Sequence, residues 1–218
     1  MNKRIIIIII VLLSGTRIFG QSMPKFRQGF DFSNFYVLDS TDYMLLPVEW
    51  DNNGKVDQLK VYGNNRNQNI FFYNPITEEK RFLFEGSKQI INRFEGYLTQ
   101  RRYAPDTTKK PLNKDYLYYS VVNFDYNSDN TLDSKDPVNL YQSKYDGTEL
   151  SLLHPKEFNL LRYEYIKIYN IILCVLERDD NNDKKYDKND SEILYKIDLS
   201  NPENSKIVSV LKIKSEED

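Results

Sequence analysis

The sequence predicts an all-β fold made of about three antiparallel four-stranded units. Short runs rich in Val, Ile, Leu, Tyr and Phe recur along the chain, and such runs are typical of strands. Turn-forming pairs separate them, and these pairs are Asn53-Gly54, Asn74-Pro75, Asp146-Gly147 and Asn201-Pro202. No segment keeps the 3.6-residue apolar period of a surface helix, and only residues 86–97 have a composition that allows one short helix.

The first twenty residues have the pattern of a secretory signal peptide. Lys3 and Arg4 precede an unbroken apolar run over residues 5–13, and small and polar residues follow it. The run is far shorter than the roughly 20 residues that a membrane-spanning helix needs. We therefore expect cleavage after Gly20, no membrane span afterwards, and a secreted or periplasmic protein.

Two strand-rich parts follow the signal segment, joined by a loop. Residues 21–104 hold predicted strands at 43–50, 56–62, 70–73 and 81–84. Residues 115–218 hold seven more, at 116–124, 138–145, 149–153, 163–169, 171–177, 192–199 and 206–213. Residues 105–114 contain Pro105, Pro111 and three lysines without a strand signal, and we expect them to form an exposed loop.

Composition excludes several classes of function. A single Cys and a single His cannot build a disulfide, a thiolate zinc site or a histidine metal centre. Thirty Lys and Arg against 32 Asp and Glu leave no basic excess for nucleic acid. Cys174, inside the apolar run 171–176, is expected to be a buried strand residue.

Catalytic signatures are also missing from the sequence. There is no nucleophile elbow, zinc-protease helix motif or glycine-rich phosphate loop. His154 precedes Pro155, and we interpret it as a turn histidine whose hydrogen bonds are satisfied, because no triad partners can be identified. The sequence therefore predicts a non-catalytic protein.

An internal repeat organises the C-terminal part. Five polar residues of residues 125–136 recur at a constant offset of 54 in residues 179–190, and Leu140-Tyr141 recurs as Leu194-Tyr195. Each copy consists of a strand, an acidic loop and two further strands. With one strand added in front, a copy has the size of a propeller blade. The units are therefore predicted to be blade-like and to assemble as a propeller-like stack or a sandwich.

The acidic loops carry the chemistry that the sequence predicts. Oxygen donors alternate at loop positions 1, 3, 5, 9 and 12, and position 7 supplies a backbone carbonyl. Calcium takes about 6 to 8 such oxygens, so a chain that curls around the ion must present them at this spacing. The predicted ligands are Asp125, Asn127, Asp129, Thr131, Asp133 and Asp136 in loop 1 (residues 125–136), and Asp179, Asn181, Asp183, Lys185, Asp187 and Asp190 in loop 2 (residues 179–190).

Both loops resemble the twelve-residue calcium loop of the EF-hand family. They depart from it at position 6, where Asn130 and Lys184 replace the usual Gly, and at position 12, where Asp replaces Glu. Strands flank the loops here, so the resemblance implies calcium as the ligand but not the EF-hand fold. The position-8 residues, Leu132 and Tyr186, are expected to anchor the loops to the core.

The two loops are not equally strong predictions. Three lysines within loop 2 oppose cation binding, so we favour loop 1. An N-terminal set, Glu49, Asp51, Asn53 and Asp57, is a weaker third site. The alternative is that Asp and Asn serve here only as turn residues that keep sheet edges soluble.

The order of strand, Asp-rich loop, Leu-Tyr strand and Asp-Gly turn over residues 116–213 is similar to the blades of bacterial TolB-like propellers. That resemblance implies an interaction platform in the bacterial envelope. We therefore expect an exported, non-catalytic calcium-binding β-domain that binds a protein or a glycan. The alternative is a small secreted carbohydrate-active hydrolase with structural calcium, in which Trp50 and tyrosines stack on sugars.

Overall fold

The computed structural model describes residues 30–32, 36–38, 41–50, 67–86, 89–95 and 116–212. Several predictions lie outside these residues: the signal peptide, the strand at 56–62, the loop at 105–114, and the N-terminal acidic set from Asp51 onward. The side chains of Glu49 and Trp50 lie outside them as well.

The described residues form an all-β structure of two antiparallel sheets, as the sequence predicts. The first sheet contains β1 (Phe30–Phe32), β2 (Tyr36–Val37), β3 (Met44–Trp50), β4 (Asn67–Tyr73), β5 (Lys80–Phe82), β6 (Ile90–Glu95), β7 (Tyr116–Val122), β8 (Asn139–Lys144) and β9 (Ser151–Leu152). The second contains β10 (Asn159–Ile166), β11 (Ile171–Arg178), β12 (Ser191–Asp198) and β13 (Lys206–Lys212). Two 3-10 helices, Lys167–Tyr169 and Pro202–Asn204, lie in the turns of the second sheet.

Three units can be followed through the two sheets. The first consists of β3, β4 and β5 with β1 and β2 paired to β3, the second is the run β6-β7-β8-β9, and the third is the run β10-β11-β12-β13. A single residue pair, Asn67 with Ile91, connects the first two units into one sheet. The repeat offset places β7 on β11 and β8 on β12, so equivalent strands flank the two acidic loops.

The short helix allowed at residues 86–97 is wrong, because this segment holds strand β6. Ile90 pairs with Val122 and Ile91 with Val121 of β7, and both isoleucines are buried. β-Branched side chains favour a pleated, half-buried surface over a helix. The pairing with β7, which the sequence does not reveal, decides between the two structures.

Strand β7 is buried on both faces and holds neighbouring units together. Leu117, Tyr119 and Val121 belong to a core shared with β3, β4 and β6, whereas Tyr118 packs into a second core with β10, β11 and β12. Each large side chain of this kind contributes about 1.5–3 kcal/mol when fully buried. The second unit is therefore packed between the first and the third.

The predicted burial of Cys174 is confirmed. Its side chain is 0% exposed and lies in the second core beside Ile172 and Leu176. Burial raises the pKa of its thiol to about 12, so the nucleophilic thiolate is scarce at neutral pH.

Candidate metal centre

Loop 1 connects β7 to β8, and loop 2 connects β11 to β12. Each loop therefore starts where a central strand of its unit ends. The predicted anchor of loop 1 is confirmed, because Leu132 is 5% exposed and packs with Ile90 and Val122.

Oxygen atoms at the start of loop 1 bind the loop's own backbone. The carboxylate of Asp125 accepts hydrogen bonds from the N–H groups of Asp129 (3.2 Å) and Asn130 (2.9 Å). Asn127 Oδ1 also accepts from Asp129 N–H, at 2.9 Å, and Asp129 Oδ1 accepts from Thr131 N–H, at 2.8 Å. The side chains at positions 1, 3 and 5 thus hold the chain in a curl through the N–H groups of the loop itself.

Asp136, at position 12, closes loop 1. One of its carboxylate oxygens accepts from the N–H of Tyr126 at 2.9 Å, and the other accepts from the N–H of Asp133 at 3.0 Å. Asp133 Oδ1 in turn accepts from Lys135 N–H at 2.8 Å. The two ends of the loop are consequently held by one carboxylate.

Loop 2 repeats this hydrogen-bond pattern at the offset of 54. Asp179 accepts from the N–H groups of Asp183 and Lys184, and Asp190 accepts from those of Asp180 and Asp187. The remaining bonds also recur: Asn181 accepts from Asp183, Asp183 from Lys185, and Asp187 from Asn189. The sequence repeat is therefore a repeat of loop conformation.

The backbone conformation recurs in detail as well. Positions 4 and 6 have left-handed φ values in both loops: 60° and 62° at Ser128 and Asn130, and 59° and 65° at Asn182 and Lys184. Left-handed φ is unusual for residues other than Gly. Both loops reach the sharp turn at position 6 without glycine, and the lysine at that position does not prevent it.

Three carboxylates of the predicted ligand set are buried. Asp136 is 2% exposed, Asp190 is 3% and Asp179 is 8%. None of the three forms an ion pair with Lys, Arg or His in the part of the chain that the structure describes. Burial raises the pKa of the Asp136 carboxyl, the backbone hydrogen bonds oppose this shift, and the charges of Asp125 and Asp133 add to it.

Lysines lie near each loop but in different arrangements. Lys135 places its Nζ 3.9 Å from Asp129 Oδ2 and 4.0 Å from Asp133 Oδ2, so an ammonium group accompanies the loop 1 carboxylates. In loop 2 the Nζ of Lys184 lies over the ring of Tyr126, 4.3 Å from its centre. One of the lysines expected to oppose cation binding in loop 2 is thus held against an aromatic ring.

Many of the predicted ligand side chains accept hydrogen bonds from the backbone of their own loop. In the described ranges, no group of three or more His, Cys, Asp or Glu side chains is arranged to hold a metal ion. The donor chemistry nevertheless suits calcium, because every predicted ligand atom is an oxygen. A carboxylate offers about four acceptor sites, so the ones that accept backbone N–H groups keep capacity for an ion.

Tyr126 connects the two loops. Its backbone N–H donates to Asp136, the last ligand position of loop 1, and its hydroxyl donates to Oδ2 of Asp179, the first ligand position of loop 2, at 2.9 Å. Its ring stacks on Tyr186 with 5.4 Å between centres, and the Tyr186 hydroxyl donates to the Glu157 carbonyl. Burial raises the pKa of Tyr126 to about 12, and the hydrogen bond to Asp179 adds to this shift. The sequence gives no signal for this contact beyond tyrosines at loop positions 2 and 8.

We expect the substitution Tyr126→Phe to lower the free energy of unfolding by about 1.5–3 kcal/mol, because the buried Asp179 carboxylate loses a hydrogen bond. Urea denaturation measures the change. Tyr169→Phe is the matched control, since Tyr169 is 68% exposed. Equal stability of the two variants would contradict the contact between the loops.

His154 is a turn histidine with satisfied hydrogen bonds, as the sequence predicts. It is 5% exposed, its Nε2 accepts from Leu140 N–H at 3.0 Å, and its Nδ1 lies 2.9 Å from the Pro155 carbonyl. This geometry requires the neutral ring with the proton on Nδ1. Burial lowers the pKa of His154 to about 4 from an ordinary value of 6.5.

We expect acid to weaken the fold through His154. Between pH 6.5 and 4 the unfolded chain binds a proton that the folded chain does not, so stability falls as pH falls through this window. The expected loss from pH 7 to pH 5 is about 2 kcal/mol. Urea denaturation at both values measures it, and His154→Gln should flatten the dependence because His154 is the single histidine. A variant that kept the full dependence would refute the assignment.

No protein-family model matches the chain, and no curated protein matches its sequence. No helix among the described residues is long and apolar enough to span a membrane.

Proposed function

We propose that the protein is an exported, non-catalytic β-domain whose two acidic loops bind calcium and whose surface binds a partner in the bacterial envelope. The export part rests on the N-terminal charge and apolar pattern. The binding-module part rests on the similarity of residues 116–213 to TolB-like blades.

One observation carries the calcium proposal: position 12 of each loop is a buried carboxylate without a cationic partner among the described residues. Asp136 and Asp190 are 2% and 3% exposed. Buried charges in proteins are normally paired or coordinate metals, because removing a carboxylate from water costs several kcal/mol. Each of these carboxylates accepts two backbone N–H groups of its own loop, which offsets part of this cost but supplies no positive charge.

The residues of each loop would share the coordination of calcium. In loop 1, Asp125, Asn127, Asp129 and Asp136 would supply side-chain oxygens and Thr131 its carbonyl. Asp133, at position 9, would act directly or through water. The corresponding loop 2 residues would do the same, with Lys185 supplying the carbonyl. Bound calcium supplies two positive charges to a group of carboxylates that otherwise repel one another.

Calorimetric titration with calcium chloride tests this proposal. We expect heat of binding for the wild-type chain, with a Kd of about 10⁻⁴–10⁻³ M as in extracellular calcium modules. The double variant Asp125→Ala, Asp129→Ala should lose the loop 1 component. The matched double variant Asp179→Ala, Asp183→Ala should lose the loop 2 component. Absence of heat from the wild-type chain would refute calcium binding.

A further inference from the structure

A cavity of about 580 Å³, widely open to solvent, lies between the first and second units. The first unit contributes residues 41–43, immediately before β3, and the second contributes the start of β7 and the turn after β8. Its volume is within the range of about 300–1,000 Å³ that is typical of small-molecule sites. Six of its lining residues matter here: Tyr43, Tyr116, Tyr145, Asp42, Asp146 and Lys144.

The three tyrosines are fixed by the cores on either side. Tyr43 and Tyr145 pack against the core of the first two units, and Tyr116 packs against the core that the second and third units share. All three are half-buried, so each side chain contacts a core and also borders the cavity. Aromatic side chains held in this way lose little conformational entropy when a ligand stacks on them.

Hydrogen-bonding groups around the cavity retain capacity for a ligand. The Asp42 carboxylate and the Tyr116 hydroxyl have no hydrogen-bond partner within the described part of the chain. Asp146 uses one oxygen to accept from the N–H and hydroxyl of Thr148. Its other oxygen is without a hydrogen bond from any described residue.

The charges around the cavity select against anions. Asp42 and Asp146 both line it, and the positive charge of Lys144 is offset by Glu149, with which its Nζ forms an ion pair. Tyr43 donates a hydrogen bond to Glu79 at 2.6 Å, which adds a fourth carboxylate to this region. A ligand without acidic groups therefore fits best.

We infer that this cavity binds a saccharide without acidic groups. Pyranose rings present C–H faces that stack on tyrosine and hydroxyl groups that donate to carboxylates, so this ligand class can use both the tyrosines and the carboxylates of the lining. Asp42 and the second oxygen of Asp146 can accept from sugar hydroxyls, and the Tyr116 hydroxyl can donate to a ring or hydroxyl oxygen. This inference rests on the binding-module part of the proposed function and is independent of calcium.

Three neutral hexasaccharides test the inference: maltohexaose, cellohexaose and the hexamer of N-acetylglucosamine. Each is titrated into the full chain by calorimetry, and the hexamer of galacturonic acid serves as an anionic comparison. We expect at least one neutral sugar to bind and the anionic hexamer to bind at least tenfold more weakly than that sugar.

Two conservative variants locate the site. Asp42→Asn should weaken binding about tenfold and Tyr116→Phe about fivefold, since each removes one hydrogen bond without removing a packing contact. Tyr169→Phe, on an exposed turn, should bind as the wild type does. Failure of all three neutral sugars to bind, unchanged affinity in both cavity variants, or equal binding of the galacturonic acid hexamer would overturn the inference.

A calcium titration of the same samples separates this inference from the calcium proposal. A chain that binds calcium but no sugar refutes the saccharide site alone. A chain that binds sugar but no calcium refutes the metal centre alone.

Discussion

The substitution Gly147→Ala is expected to lower the free energy of unfolding by about 2–4 kcal/mol. Gly147 lies in the turn between β8 and β9 with a φ of 79°, a region that L-residues adopt at a cost of roughly 1–2 kcal/mol. A Cβ atom there would lie 2.6 Å from Cδ2 and 2.7 Å from Cε2 of Phe72. Phe72 is 0% exposed, so the ring cannot move without disturbing the core, and overpacking of this kind costs about 1–3 kcal/mol.

Gly86→Ala is the matched control for this prediction. A Cβ atom at Gly86 would meet nothing within 4 Å, and its φ is not in the left-handed region. Its stability should stay within about 0.5 kcal/mol of the wild type or rise slightly. Urea denaturation compares the two variants. Equal stability of the two variants would contradict the close contact between Gly147, in the turn of the second unit, and Phe72 of the first unit.

Calcium is expected to produce the second large effect. A ligand that binds only the folded chain stabilises it by RT ln(1 + [L]/Kd), which is about 1.4 kcal/mol for each loop at ten times Kd. Two filled loops then add about 3 kcal/mol, or roughly 6–11 °C in melting temperature for a chain of this size. The physical source is the neutralisation of the buried carboxylates Asp136 and Asp190.

Thermal unfolding in chelator and in excess calcium chloride measures this effect. The double variant Asp125→Ala, Asp129→Ala should show half of the calcium-dependent rise in melting temperature, because loop 2 can still bind calcium. If calcium raised the melting temperature of the double variant as much as that of the wild type, loop 1 would not bind calcium.

Local patterns in the sequence predict most of the described fold. Alternating apolar residues and turn pairs locate β3, β4 and the strands from β7 onward, because these signals act over a few residues. The strands β1 and β2 have only three and two residues, too few for a period to be recognised. The sequence predicts one strand over residues 163–169, but β10 ends at Ile166 and a 3-10 helix follows.

In the acidic loops too, the sequence predicts features that depend on a few neighbouring residues but not contacts between distant segments. The alternation of oxygen side chains predicts a chain that curls around a calcium ion, whereas the described loops curl through hydrogen bonds to their own backbone. The apolar position 8 predicts the burial of Leu132, which is confirmed. Contacts between distant segments could not be predicted in this way. The hydrogen bond from Tyr126 to Asp179 joins residues 53 positions apart, so no pattern over a few residues reveals it.

The cavity between the first two units also depends on packing. Tyr43 and Tyr116 are ordinary strand-region tyrosines in the sequence, where nothing distinguishes them from the other fifteen. Only the joining of two units places them on one cavity. The order of the strands in the sheet must be known before these residues can be placed at one site.

The stoichiometry of the calcium titration tests the central claim most directly. We predict two calcium ions bound per wild-type chain and one in each of the two double variants. A wild-type chain that takes up no calcium at concentrations of several millimolar would contradict the claim, and the acidic loops would then be turns that use carboxylates only to bind their own backbone.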